Sequence, residues 1–583
     1  MKHCFLSIVM ILALGISACG VSDLSKEPLW TGEVIDNVLA RAKHEGKTAP
    51  AKASRFEVTL RPGKKQILRV AGRIRSRDEG EEGSIGPADF VVEIDGKSVA
   101  RKQLRSHDSH ASFEYLIDLE DYADREIKAV FLQKNHDPSG TKSGWKRVSI
   151  ESRRRVRRRT ASEGPNVLFL MVDTVRADHC SLYGYERKTT PNLDRLAALS
   201  LVFDRAISPA AWTLPSVASM LTGRYSIEMK AVDGLGLRQQ DVTFAELLLD
   251  EGYTTMAVST NPLIGQSHAF DQGFETFILD PWEKAGTVNR HFSNWLETAV
   301  STQWFAYLHY IDPHDPYEAP APFLGKYSDR EYQGEFLRAK ALNELANTIN
   351  YGLEAPFPVD GADVEFLRDR YDEEISYWDS TLGLLLRDLE EKDVLDRTII
   401  VVVSDHGEEF GDHGKYKHGK HLFQETIHVP LVVSFPNSKL TGRRTDAVET
   451  RLLMPSLLGY LGIKNPQGVR GDLFQASQVT GRAVSYSRYT VKPDDPHTRM
   501  GLVADLQGDR KLIHETDLER DLFYNLGLDP LETDDVSERN SSGYDRRLRS
   551  LEEWLHAHPR PAGARSHISD ETVEHLRALG YVQ

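Results

Sequence analysis

The stretch NVLFLMVDTVRADH, residues 166–179, opens on an apolar run from Asn166 to Val172 and turns polar at Asp173. A run without alternation suits a strand buried on both faces of a parallel sheet. TIIVVVS, residues 398–404, is a second run of this kind and is followed by Asp405 and His406. Between them lie amphipathic segments. The clearest sets Leu367, Tyr371, Ile375, Trp378, Leu382, Leu385 and Leu389 at helical spacing, a pattern that predicts core packing. Such alternation predicts helices on both faces of a mostly parallel sheet.

In open α/β sheets, ligands bind beyond the carboxyl ends of the strands. Two neighbouring strands that each finish in a carboxylate bring like charges together, and these need a proton or a cation. With His406 alongside Asp173 and Asp405, a divalent metal held by oxygen and imidazole meets that need. One aspartate at a strand end is commonly a turn former; two, one followed by His-Gly, favour the metal.

SPAAWTLPSVASMLTG, residues 208–223, places Thr213 where a helix begins, with Pro215 in the first turn and Gly223 at the exit. A hydroxyl there feels the positive end of the helix dipole and faces free backbone amides, conditions that favour an alkoxide and an anionic ester. Metal coordination would activate it further as a nucleophile. The segment alone leaves open the alternative that Thr213 only caps the helix.

The other residues bound the setting. The chain has 583 residues, 40% hydrophobic and 27% charged, in the range of soluble globular proteins. A net charge of -15 argues against nucleic acid as a partner. MKHCFLSIVMILALGISACG, residues 1–20, has the layout of a secretory signal, and Ile16-Ser17-Ala18-Cys19 looks like a bacterial lipobox. Residues 1–18 are therefore expected to be a lipoprotein signal peptide and Cys19 the lipidated residue. The protein is expected to be exported and lipid-anchored to a bacterial membrane, with residues 19–53 as a tether that includes a helical patch, WTGEVIDNVLARAK. That leaves Cys180 as the sole cysteine of the remaining chain, with no disulfide partner and a structural role expected. Residues 54–150 alternate apolar and polar and predict a small antiparallel β-sandwich, for which a simple spacer and a carbohydrate-binding module are both open, the spacer favoured. Residues 151–165, with the basic run Arg153–Arg159, are expected to form a solvated connector.

From about Asn166 to the C-terminus, the chain resembles a sulfatase-family hydrolase of the alkaline phosphatase superfamily. The resemblance rests on NVLFLMVDTVRADHCSLYGYERKTTPNLDRLA, WTLPSVASMLTG, FAYLHYIDPHDPY, VVVSDHGEEFGDHG, HGKHLFQETIHVPLVV and FYNLGLDPLETDDVSE, in that order. It implies an alkaline-phosphatase-like fold, with a catalytic domain at 166–440 and a small C-terminal α+β subdomain at 441–583. It further implies that Asp173, Asp405 and His406 hold one divalent metal ion (Ca, Mn, Mg or Zn) and that Thr213 is the nucleophile and touches the metal. His314 and His418 match histidines that bind the ester or protonate the leaving oxygen. His309, Lys420 and His421 are further candidates for binding substrate.

Two departures matter. The family signature is Cys or Ser, any residue, Pro, Ser, Arg; here it reads Thr213, Leu214, Pro215, Ser216 and Val217. Oxidising threonine would give a ketone, so formylglycine is not expected. Thr174 stands where many sulfatases place a second aspartate. Both losses move the expectation toward phosphate diesters or monoesters, with sulfate esters less suited. The expected partner is an anionic ester, with a glycan or a lipid headgroup as candidate carriers. The alternatives are a phospho-headgroup transferase and a non-catalytic glycan-binding protein of the same fold.

Overall fold

The computed structural model describes residues 30–34 and 53–559, with omissions at 63–65, 77–84, 107–109, 136–140, 154–157, 239, 328–331, 339, 470, 493–494, 517–519 and 540. The expected signal peptide, Cys19, most of the tether and the last residues of the expected C-terminal subdomain, 560–583, lie outside the described residues.

The strands, in chain order, begin with β1 (Trp30–Val34), β2 (Ala53–Leu60), β3 (Gln66–Ser76), β4 (Ile85–Ile94), β5 (Lys97–Ser106), β6 (His110–Asp118), β7 (Ile127–Asn135) and β8 (Thr141–Arg153). They continue with β9 (Asn166–Val172), β10 (Leu201–Ile207), β11 (Thr254–Ser259), β12 (Thr276–Leu279), β13 (Trp304–Tyr310) and β14 (Thr398–Ser404). After these come β15 (Glu409–Phe410), β16 (Tyr416–Lys417), β17 (His428–Val429), β18 (Leu431–Ser434) and β19 (Gly442–Glu449), then β20 (Arg482–Lys492), β21 (Asp495–Gln507), β22 (Arg510–Glu515) and β23 (Arg520–Asn525).

The large sheet runs β1-β8-β3-β6-β12-β11-β13-β9-β14-β18-β10-β17, with β19 added beside β10. Its centre, β12 to β14, is parallel, and β18 and β6 join antiparallel on either side. The apolar runs behave as their composition predicts, since every residue of β9 and β14 is buried. Side chains alternate between two cores. Val167, Phe169 and Met171 share one face with Leu214, Val217 and Leu221 of the helix Thr213–Thr222. Leu168, Leu170 and Val172 share the other with Leu367, Tyr371, Ile375 and Trp378 of the helix Gly361–Glu391. The helix that begins at Thr213 and the long helix thus cover opposite faces of the same strands.

Three expectations are corrected. Residues 30–34 are not helical: they form an edge strand paired antiparallel with Ser149–Arg153. The pairing spans more than a hundred residues and outweighs the local periodicity. The basic run is not simply a solvated connector either. Its first residue, Arg153, ends β8, while Arg158 forms an ion pair with Glu275 and donates to the Tyr253 carbonyl at 3.1 Å. Finally, the strands of the expected 54–150 sandwich are continuous with the large sheet. The four-stranded sheet β2-β7-β4-β5 packs on β3 and β6, and β6 continues the large sheet by pairing Tyr115 with Ile278 and Glu114 with Leu279.

The C-terminal sheet β20-β21-β22-β23 is antiparallel, and its position bears on the site. The Tyr486 amide donates to the Pro209 carbonyl at 2.9 Å, and the Ala211 amide donates to Ser487 Oγ at 2.8 Å. The loop that delivers Thr213 is thus tied to this sheet. Cys180 is buried with its thiol donating to the Arg176 carbonyl at 3.4 Å, and burial pushes the thiol well above its usual pKa, as a structural residue requires.

Candidate active site

Parallel register sets Val172 of β9 beside Ser404 of β14, so the residues that follow, Asp173 and Asp405, emerge side by side. Both are fully buried, as are His406 and Thr213. His406 Nε2 lies 3.2 Å from Thr213 Oγ1, 3.4 Å from Asp405 Oδ2 and 3.7 Å from Asp173 Oδ1. The two carboxylate oxygens have no hydrogen-bond partner among the described residues. A buried carboxylate oxygen left bare is costly unless a cation completes it. The spacings are those of donors about 2 Å from one shared ion.

The supporting contacts aim these atoms. His406 Nδ1–H donates to the Gly407 carbonyl at 2.9 Å, which leaves Nε2 as the nitrogen that could ligate an ion. Asp405 Oδ1 accepts from the amides of Thr174 at 3.2 Å and His406 at 2.9 Å. The Asp405 carbonyl accepts from Ser216 Oγ at 2.6 Å and from Ser208 Oγ, so two serines flanking Thr213 fasten its segment to the strand end. Gly407 is required because a Cβ there would lie 2.0 Å from the Glu425 carbonyl. Thr174, at φ 58°, holds a left-handed turn that β-branched residues rarely adopt.

Asp173 Oδ2, the second oxygen, accepts from Asn261 Nδ2 at 2.6 Å and meets His309 Nε2 at 3.2 Å. Ligand atoms of Asp173, His309 and Asp405 all lie within 4.8 Å of one another. The structure therefore sets His309 against the carboxylate pair, although the sequence offered it as a substrate contact. Burial pushes Asp405 up to about 6, with the Asp173 charge adding to the effect. Burial opposes ionisation of Asp173 as well, yet the His309 hydrogen bond and the nearby His314, His309 and His406 hold its carboxyl below the usual range. One anion and one reluctant anion side by side make a site for positive charge.

His314 and His418 meet at the rim of this cluster, their rings 5.1 Å apart, and His418 is 4.3 Å from the His406 ring. His314 Nδ1–H donates to the Asp315 carbonyl at 2.5 Å, and Nε2 is buried without a partner among the described residues. Burial pulls His314 down to about 4. Burial, with His406 and Lys417 adding to it, pulls His418 well below its usual value. An anionic ester seated against them would favour their charged forms. His418 Nδ1 engages Glu408 Oε1 at 2.7 Å, and burial pushes Glu408 up to about 7. Of the remaining candidates, Lys420 sits over the Tyr351 ring and donates to its hydroxyl at 3.1 Å, while His421 is turned to Glu409 at 2.9 Å.

Sequence reasoning missed Asn261, Glu408, Ser208 and Ser216. Ser208 and Ser216 lie within the 208–223 stretch around Thr213 and Glu408 lies two residues after His406, so a signal was present for those three. Asn261 sits in a loop after β11 with nothing local to mark it.

With this geometry in view, similarity to known proteins is informative. Residues 165–463, just over half of the chain, match the family model described as Sulfatase. An N-acetylglucosamine-6-O-sulfatase of Bacteroides thetaiotaomicron is 25% identical over 466 residues, 64% of this chain and 82% of its own. An arylsulfatase of Clostridium perfringens is 24% identical over 417 residues, 57% of this chain and 83% of its own. Among solved structures, a phosphonate monoester hydrolase of Agrobacterium radiobacter superposes with a TM-score of 0.54 at 18% identity, covering 70% of this chain and 98% of that one.

Proposed function

The chain belongs to the sulfatase family, hydrolases of sulfuric or phosphoric esters, and from that premise we propose that it is an exported, metal-dependent phosphoesterase that cleaves diesters or monoesters through a covalent intermediate on Thr213. The observation that carries this reading is the hydroxyl of Thr213, the first residue of its helix, 3.2 Å from His406 Nε2 and beside two bare carboxylate oxygens. Asp173, Asp405, His406 and Thr213 would hold the ion, with His309 next to them. A divalent ion bound there supplies charge neutralisation and a lowered hydroxyl pKa.

The residues do the rest. Thr213 Oγ1, its proton released to solvent on activation, attacks the ester centre while the helix amides face the developing charge. His314 contacts the ester group and His418 protonates the departing oxygen. Water then attacks the threonine ester and Thr213 leaves as the alkoxide. Phosphate suits this route better than sulfate, because a sulfated threonine lacks the easy elimination open to an aldehyde hydrate. The solved phosphonate hydrolases of this fold lend support to a phosphorus centre.

Purified protein loaded with divalent metal should hydrolyse nitrophenyl phosphodiesters, and Thr213→Ala should lower kcat by at least about 10³-fold. Full turnover in that variant refutes the nucleophile, and a clear preference for nitrophenyl sulfate refutes the phosphorus preference. The anchor at Cys19 rests on sequence alone; fatty-acid labelling that survives Cys19→Ser would remove it from the proposal.

A further inference from the structure

We propose that Glu408 is a positioning residue that orients His418 for proton transfer to the leaving oxygen, with Tyr317 as its second support. The inference rests on the reading of His418 given above and adds the group that makes it work. After β14 the chain runs through His406, Gly407 and Glu408 into β15, whose hairpin with β16 pairs Glu409 with Lys417. That register sets Glu408 opposite His418 at the hairpin mouth, beside the metal ligands. Glu408 is wholly buried, yet each of its side-chain oxygens is used. Oε1 holds His418 Nδ1 at 2.7 Å, and Oε2 accepts from the Tyr317 hydroxyl at 3.0 Å. Its carbonyl accepts from Arg176 Nη1 at 3.1 Å. Tyr317 lies on the loop that carries His314, so one carboxylate joins the two candidate histidine loops.

A carboxylate on Nδ1 fixes both the ring's rotation and the nitrogen that faces the substrate. One proton stays between Oε1 and Nδ1, and the proton on Nε2 is the one transferred. As the bond from the ester centre to the leaving oxygen breaks, that oxygen keeps the bonding electron pair and takes the Nε2 proton. In the second half-reaction, the attacking water returns a proton to Nε2. Glu408 never touches substrate; it acts through the ring.

Leaving-group dependence separates this role from a structural one. A nitrophenyl ester departs without a proton, whereas an alkyl ester of the same charge needs one. Glu408→Gln is expected to lower kcat for the alkyl ester by about 10²-fold or more, and for the nitrophenyl ester by less than about tenfold. Metal content should be unchanged. On the alkyl ester, Glu408→Gln combined with His418→Ala should be no slower than His418→Ala alone. Tyr317→Phe should show the same selective loss in smaller degree, which keeps the test open if Glu408→Gln folds poorly. Equal losses on both esters, or additive losses in the double variant, overturn the assignment. Full activity of Thr213→Ala would instead refute the nucleophile and leave this result standing.

Discussion

At the residue scale, the site divides into atoms that would face a bound ion and atoms that hold those atoms still. Asp173 and Asp405 were legible because an apolar run that stops at a carboxylate is a local signal, and two such runs sharing a sheet implied that they meet. Asn261 was not legible, because its one relevant contact, 2.6 Å to Asp173 Oδ2, bridges 88 residues. It stands directly behind Asp173, a ligand in the proposed reading, and partners of this kind are worth about 10- to 100-fold in metal affinity. Asn261→Ala is therefore expected to weaken divalent-metal binding by that factor, as read by competition with a chelator, while Thr213 remains competent once metal is saturating. Unchanged affinity would mean that Asp173 is held by His309 alone.

At the scale of elements, local patterns succeeded where an element's own residues decide it and failed where a distant strand does. The helix Gly361–Glu391 repeats apolar residues along one buried face, whereas WTGEV became a strand because β8 offered an edge to it. The helix Phe244–Asp250 shows what an element can hide from both pattern and charge. Its capping box pairs Thr243 with Glu246: the Thr243 amide donates to Glu246 Oε2 at 2.8 Å, and the Glu246 amide donates to Thr243 Oγ1 at 3.1 Å. Burial pushes Glu246 up to about 7 despite those bonds. The folded chain then keeps this proton up to about pH 7, whereas the unfolded chain releases it above about 4.5. More protons bound in the folded state mean that stability falls as pH rises through that window. Glu246→Gln keeps the capping box and removes the titration. The variant should melt close to the wild type at pH 5 and above it at pH 7.5, with a difference on the order of 2 kcal/mol. A difference independent of pH would show that Glu246 ionises normally.

At the scale of the whole molecule, alternating texture announced the N-terminal β-region correctly, but nothing in it announced the seam. The seam depends on β6 meeting β12 across some 160 residues. Around that pairing, buried Lys102 forms an ion pair with Asp280 and reaches Glu283 at 3.1 Å, and His291 contacts Asp280 at 3.0 Å. Ile278 packs against the sandwich core and the catalytic core together. Removing residues 1–157 would bare the β12 edge, uncover Ile278 and deprive Asp280 of its lysine. An exposed apolar strand edge is a template for association with other chains, and loss of the Lys102 ion pair leaves Asp280 with His291 as its remaining named partner. The truncated chain is therefore expected to melt lower than the full chain and to scatter light as concentration rises. Ile278→Lys, which places a charge on the bared edge, should suppress the scattering without restoring the melting temperature, because the Asp280 defect remains. A truncated chain that stays monomeric and melts with the full-length protein would return the sandwich to the role of a dispensable spacer. The pairing of Tyr115 with Ile278 would then be a contact without thermodynamic weight.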